Sequence, residues 1–137
     1  MIQKATELGV TKFLPIIFER TIVRKINKER LEKVIIEAAE QSNRITVPSI
    51  EDPQKLKSFL NNDMDLIFTD LNTANTKIDP TKLTAKPTCV IIGPEGDFST
   101  EEIEKATQHH FQFVDLGDLT LRTETACITA LSIMKLG

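Results

Sequence analysis

The amino-acid sequence predicts an α/β protein in which a parallel sheet is covered by helices. Three observations carry that expectation. Short apolar runs of strand length, at 13–18, 65–70, 89–93 and 113–117, alternate with segments of helical period. At 137 residues, 40% hydrophobic and 27% charged, the chain has the size and composition to bury one core. No internal repeat and no linker-like stretch divides it, so residues 1–137 are read as one domain.

The elements follow in order. QKATELGV reads as the end of a helix stopped by Gly9, so the chain is expected to begin in mid-fold. FLPIIF, from Phe13 to Phe18, is the first strand. Asn27 can cap a helix running to about Asn43, with Leu31, Val34, Ile35, Ala38, Ala39 and Ser42 forming one stripe. Pro53 suits the first turn of a short helix to Leu60. DLIFTD, from Asp65 to Asp70, is the second strand, and Asn72 to Pro87, without apolar period, is a loop. CVIIG is the third strand, after which Ser99 and Glu102 make the capping box of a helix to about His109. FVDLG, from Phe113 to Gly117, is the fourth strand, and Glu124 to Leu136 the closing helix.

Composition excludes several classes. Aromatic residues are 5% of the chain, all of them Phe, so bases are not held mainly by stacking on aromatic platforms. No apolar run approaches the ~20 residues of a membrane span. MIQKATELGV has no secretory apolar region, and a cytoplasmic protein is expected. Cys89 and Cys127 stand without a CxxC or a His pair, which suits reduced core residues and no metal site.

The net charge of −3 conceals an asymmetry. Residues 1–50 carry nine Lys or Arg against six acids, and the remainder eight against fourteen. The densest cluster comprises Arg20, Arg24, Lys25, Lys28, Arg30 and Lys33. It reads either as a solvated surface or as a patch for phosphates.

Two loops are the main functional signals. In CVIIGPEGDFSTEEIE, Gly93 and Gly96 permit close ligand approach and Pro94 stiffens the loop. It is neither a Walker loop nor a dinucleotide fingerprint. In an open α/β sheet, ligands gather beyond the carboxyl ends of the strands, where this loop belongs. LGDLTLRTETA follows the next strand, with Leu119 and Leu121 apolar within a connection and Thr123 able to cap the last helix. Those leucines line either the core or a ligand.

IGPEGDFS and LGDLTLRTETA, with the upstream ELGV and EAAEQSNR, closely resemble the ribosomal RNA small subunit methyltransferase E family. The four motifs occur in the family's order, from Lys4 to the final helix. The resemblance implies a SPOUT-type fold with a deep trefoil knot and a homodimer. It implies S-adenosylmethionine as cofactor and methylation of N3 of a uridine in 16S ribosomal RNA. Departures are Asp97, where a second glycine is usual, and Thr120, where an apolar residue is usual. On this resemblance, the family's N-terminal PUA-like barrel and the first strand of its methyltransferase domain are expected to be missing from these residues.

The resemblance also names site residues. Backbone groups of Ile92, Gly93, Gly96, Leu116 and Leu121, with Thr123 nearby, are expected to hold the cofactor. Arg44 and Arg122 are candidates to stabilise charge on the uracil as its N3 proton leaves. Glu124 is a candidate to accept that proton or orient an arginine, or else a first-turn acid favoured by the helix dipole. Glu37, Gln41 and Arg44 are spaced along one helical face. Gln41 and the basic residues Arg20, Arg24, Lys25, Lys28 and Arg30 are expected to face RNA, while His109 and His110 are read as helix-end charges. The last helix has apolar residues on two faces, Cys127, Ala130, Leu131 and Met134 together with Ile128 and Ile133, which predicts dimerisation through it. Two rival readings are a catalytically silent SAM- or RNA-binding fragment of the family and an unrelated α/β enzyme that holds phosphate at Ser99.

Overall fold

The computed structural model describes residues 1–21, 25–60, 64–69, 86–93, 98–108, 112–114, 116 and 121–136. Every strand pair among them is parallel. The order is α1 (Ile2–Glu7), β1 (Lys12–Phe13), β2 (Ile16–Ile17), α2 (Lys28–Gln41), β3 (Ser49–Ile50), β4 (Gln54–Lys55), α3 (Leu56–Phe59), β5 (Asp65–Thr69), β6 (Thr88–Ile92), α4 (Thr100–Gln108), β7 (Gln112–Val114) and α5 (Thr123–Leu136). Strands β5, β6 and β7 form one sheet in the order β6-β5-β7, while β1 pairs with β3 and β2 with β4. The α/β class expected from the alternation is therefore observed.

Two expected elements are reshaped. The run 13–18 is not one strand: β1 and β2 are separated at Leu14 and Pro15. Proline has no N–H to give a ladder, and the Pro15 carbonyl instead accepts from Gln54 N–H at 3.1 Å. The helix expected to start at Pro53 starts at Leu56, because Gln54 and Lys55 are drawn into register with Ile16 and Ile17. The expected loop at 72–87 falls almost wholly outside the described residues, as do His109 and His110.

Helix ends follow from local chemistry. Asn27 caps α2, its Oδ1 accepting from Arg30 N–H at 3.1 Å. Beyond α1, Gly9 takes φ 96, and its N–H reaches the Thr6 carbonyl while that of Val10 reaches Ala5, each at 3.1 Å. This is a Schellman turn. A second one closes α2, with Asn43 at φ 57 and the Arg44 N–H bonded to the Ala39 carbonyl at 2.9 Å. The two ends lie together because α1 packs on α2, through buried Ala5 and Thr6 on one side and Ala38 and Ala39 on the other.

Both faces of the central strand are covered. Leu66 and Phe68 point into a cluster with Phe18, Leu56, Phe59, Leu60, Ile91, Phe98 and Ala106. Ile67, pointing the opposite way as strand alternation requires, meets Leu116 and Met134. Cys127 is buried and Cys89 half-buried. Burial pushes the Cys89 thiol up to about 11 and also raises that of Cys127, so neither is a nucleophile near neutral pH.

Candidate functional site

The register of the three-stranded sheet builds one edge. Thr69, the last residue of β5, pairs with Ile92 of β6 on one side and with Val114 of β7 on the other. The three strands thus end level, and the chain leaving β6 and β7 emerges on the same rim. Two strand spacings, about 10 Å, separate the exits. Ile92, Gly93, Leu116 and Leu121 are all half-buried there. Gly96, Asp97 and Thr120 lie outside the described residues.

Gly93 has a packing role that the motif did not disclose. A Cβ on it would lie 2.9 Å from Cζ of Phe98 and 3.0 Å from Cε2. The glycine lets the aromatic ring lie on the chain just as β6 ends. Phe98 is itself held by Phe68, with centroids 4.6 Å apart, and by Phe18, at 5.3 Å with the planes near perpendicular.

The head of α4 is fastened next to that ring. Glu102 N–H donates to Ser99 Oγ at 3.2 Å, and Ser99 N–H donates to Glu102 Oε1 at 2.9 Å. The expected capping box is present in both halves. The other carboxylate oxygen of Glu102 accepts from the Glu19 N–H at 3.2 Å, on the segment after β2. Sequence reasoning missed this second role, and no local signal announces a contact across 83 residues.

At the head of α5, the Arg122 carbonyl accepts from Ala126 N–H at 2.8 Å. Arg122 therefore holds the cap position, and Thr123, expected to cap, is the first helical residue. Both Arg122 and Glu124 are exposed, and Glu124 Oε1 lies 3.4 Å from the Met1 ammonium.

Arg44 lies in a different constellation. Its Nη1 donates to the carbonyls of Thr6 at 3.0 Å and Val10 at 2.7 Å, and its Nη2 lies 3.5 Å from Thr46 Oγ1. The guanidinium thus gathers carbonyls at the carboxyl end of α1. Glu37 and Gln41 share the expected face and line an open groove of about 430 Å³ with Gln3, Val34, Ala38 and Glu40. Arg44 departs from that ladder because Asn43 turns the chain away.

The basic cluster is partly engaged. Lys28 Nζ pairs with Asp52 Oδ1 at 3.1 Å, and that bond raises the ammonium above its ordinary range. Arg20, Lys25, Arg30 and Lys33 are exposed, and Arg24 lies outside the described residues. Among the described residues no group of acids, Cys and His could hold a metal ion, and no helix is long and apolar enough to cross a membrane.

A parallel sheet whose strands β5, β6 and β7 end level on one rim is the frame of an α/β protein, and comparison gives it a family. Residues 1–135 match the RNA methyltransferase domain family, and the chain belongs to that family. Ribosomal RNA small subunit methyltransferase E of Rickettsia conorii is 37% identical over 140 residues, 98% of this chain and 57% of the relative. The protein of that name from Aquifex aeolicus is 36% identical over 138 residues, again 98% of this chain and 60% of the relative. The crystal structure of ribosomal RNA small subunit methyltransferase E from Neisseria gonorrhoeae, bound to S-adenosyl methionine, is similar with a TM-score of 0.90 at 34% identity. That similarity covers 98% of this chain and 58% of the crystallised one. The matches bear out the resemblance carried by the four motifs. The chain spans less than two thirds of the length of these relatives.

Proposed function

We propose that the chain is the methyltransferase domain of an S-adenosylmethionine-dependent enzyme that methylates N3 of a uridine in 16S ribosomal RNA. The observation that carries the reading is the level rim formed by β6 and β7, in a fold similar at TM-score 0.90 to an enzyme crystallised with that cofactor. The residues present suit such a ligand. Half-buried apolar Ile92, Leu116 and Leu121 fit the faces of an adenine, and backbone at the strand ends fits its edges. Gly93, Gly96 and Thr123 complete the proposed cofactor set. We place the domain in the SPOUT class, with its trefoil knot, on the strength of the motif match.

When bound, the cofactor supplies an electrophilic methyl group, and the protein's task is alignment and charge. The uridine N3 must lose its proton to become a good nucleophile, and the ring turns anionic as it does. Arg122, exposed at the head of α5, is proposed to stabilise that charge. Glu124, two residues on, accepts the proton or orients Arg122. Arg44 is proposed to act with a guanidinium whose Nη1 is already anchored on two carbonyls, a fixed donor rather than a swinging one. Arg20, Arg24, Lys25, Lys28, Arg30 and Gln41 are proposed to meet RNA. Lys28 does so only by leaving Asp52.

The homodimer belongs to the same proposal. Cys127 and Ala130 of α5 are buried within the chain, whereas Ile133 is 39% exposed and Ile128 half-buried, and these two flanks are proposed to meet a second copy. The proposed site of action is the cytoplasm, where small ribosomal subunits form.

Methyl transfer to 16S ribosomal RNA or small subunits, followed by mass spectrometry of the nucleosides, tests the reading. Formation of 3-methyluridine supports it. Absence of both cofactor binding and product would sink it, and binding without product would favour the silent-fragment reading. Gly96→Val is expected to abolish cofactor binding with the fold retained.

A further inference from the structure

The head of α4 and the segment after β2 are fastened to each other at two adjacent points. Phe98, 4% exposed, meets Phe18, 5% exposed, edge to face. Beside them the buried Glu102 carboxylate accepts from two backbone N–H groups, Ser99 at 2.9 Å and Glu19 at 3.2 Å. The Ser99 bond completes the helix cap, whereas the Glu19 bond does nothing for the helix. On one side of this joint Phe98 lies on Gly93, where the proposed cofactor loop leaves β6. On the other side Glu19 precedes the exposed cations Arg20 and Lys25, and the Phe18 N–H is bonded to Thr21 Oγ1 at 2.8 Å.

Resting on the methyltransferase reading, we infer that Glu102 is a positioning residue that couples occupancy of the cofactor loop to placement of the basic RNA-facing segment. A carboxylate offers only acceptors, and here both partners are backbone donors, so the link transmits chain position. A ligand that draws the backbone at Gly93 moves the Phe98 ring that lies on it, and with it Ser99. In a close-packed cluster Phe18 and Glu19 follow, because such contacts shift as units. Cofactor and RNA then bind cooperatively, each strengthening the other by the same factor.

The test measures the affinity of a labelled 16S ribosomal RNA fragment with and without saturating S-adenosylhomocysteine, which cannot turn over. The parent is expected to bind RNA about fivefold or more tightly when the cofactor product is present. In Glu102→Gln an amide NH2 replaces one acceptor and faces a backbone N–H. Its ratio should fall to within about twofold of one, with the affinity for S-adenosylhomocysteine alone little changed. Phe18→Leu keeps apolar volume while removing the ring pair, and should lower the ratio likewise. Glu101→Gln removes the same charge one residue away and loses the 2.9 Å pair with Lys105, yet should keep the parent ratio. A parent ratio near one, or an unchanged ratio in both Glu102→Gln and Phe18→Leu, overturns the inference alone. Failure of the parent to bind S-adenosylhomocysteine overturns the methyltransferase reading and this inference with it.

Discussion

Two joints in the molecule gather backbone groups around one charged side chain, and they do so with opposite signs. Behind α1, the Arg44 guanidinium donates to the carbonyls of Thr6 and Val10. Ahead of α4, the Glu102 carboxylate accepts from the N–H groups of Ser99 and Glu19. The signs suit the helix ends, since the carboxyl end of α1 presents carbonyls and the amino end of α4 presents N–H groups, while Val10 and Glu19 add a second group from outside each helix. The surroundings differ more than the bonding. Arg44 is half-buried beside a loop, whereas Glu102 is 7% exposed beside the aromatic cluster of Phe18, Phe68 and Phe98. Water can replace Arg44 and cannot easily replace Glu102. Burial, not the number of bonds, should therefore rank the two.

Mutations can break or sharpen that ranking. The largest effect is expected from Phe98→Ala, which empties the centre of the aromatic cluster and should cost about 4 kcal/mol. Urea denaturation measures it, and a cost under about 1 kcal/mol would mean that the ring carries little of the joint. Glu102→Ala comes next at about 3 kcal/mol, since it strands the buried Ser99 N–H and cuts the bond to the Glu19 N–H. Arg44→Ala should cost about 2 kcal/mol in the same assay, because solvent reaches the carbonyls it leaves. If Arg44→Ala proves the more damaging, burial does not set the order. Arg44→Lys should recover only part of that loss, as an ammonium can meet the two carbonyls but lacks the second nitrogen that reaches Thr46 Oγ1.

The smallest effect isolates backbone from side chain within the Arg44 joint. Nothing lies within 4 Å of a Cβ built on Gly9, yet its φ of 96 is unfavourable to any L side chain. Gly9→Ala should therefore cost about 1 kcal/mol from conformation alone. A thermal midpoint equal to the parent's would show that the turn relaxes freely. A much larger loss would show that the turn also sets the position of Arg44.

Features that depend on neighbours within about four residues were legible from residue identity. The stripe that buries Ile35, Ala38 and Ala39, the Asn27 cap, the Gly9 stop and the Ser99–Glu102 box all appear where the spacing placed them. The runs that became β5, β6 and β7 were visible as well, because buried strands read as continuous apolar segments, whereas the short β3 and β4 were not expected. The strand ends that form the rim could be named, but not the register that makes Thr69 level with Ile92 and Val114.

What the tertiary structure alone decided lies between residues remote in the chain. Pairing with 49–55 divided the run at 13–18 and delayed α3, overriding a proline that suits a helix start. Asn43 turned Arg44 off its helical face and onto α1, 34 and 38 residues away. Gly93, legible as a place for a ligand, also carries the ring of Phe98, and Glu102, legible as a cap, also holds Glu19. Local hydrogen bonds and apolar period are written in residue spacing. Contacts closed by the path of the chain leave no period, so only the packed structure could assign Arg44, Gly93 and Glu102 their remote partners.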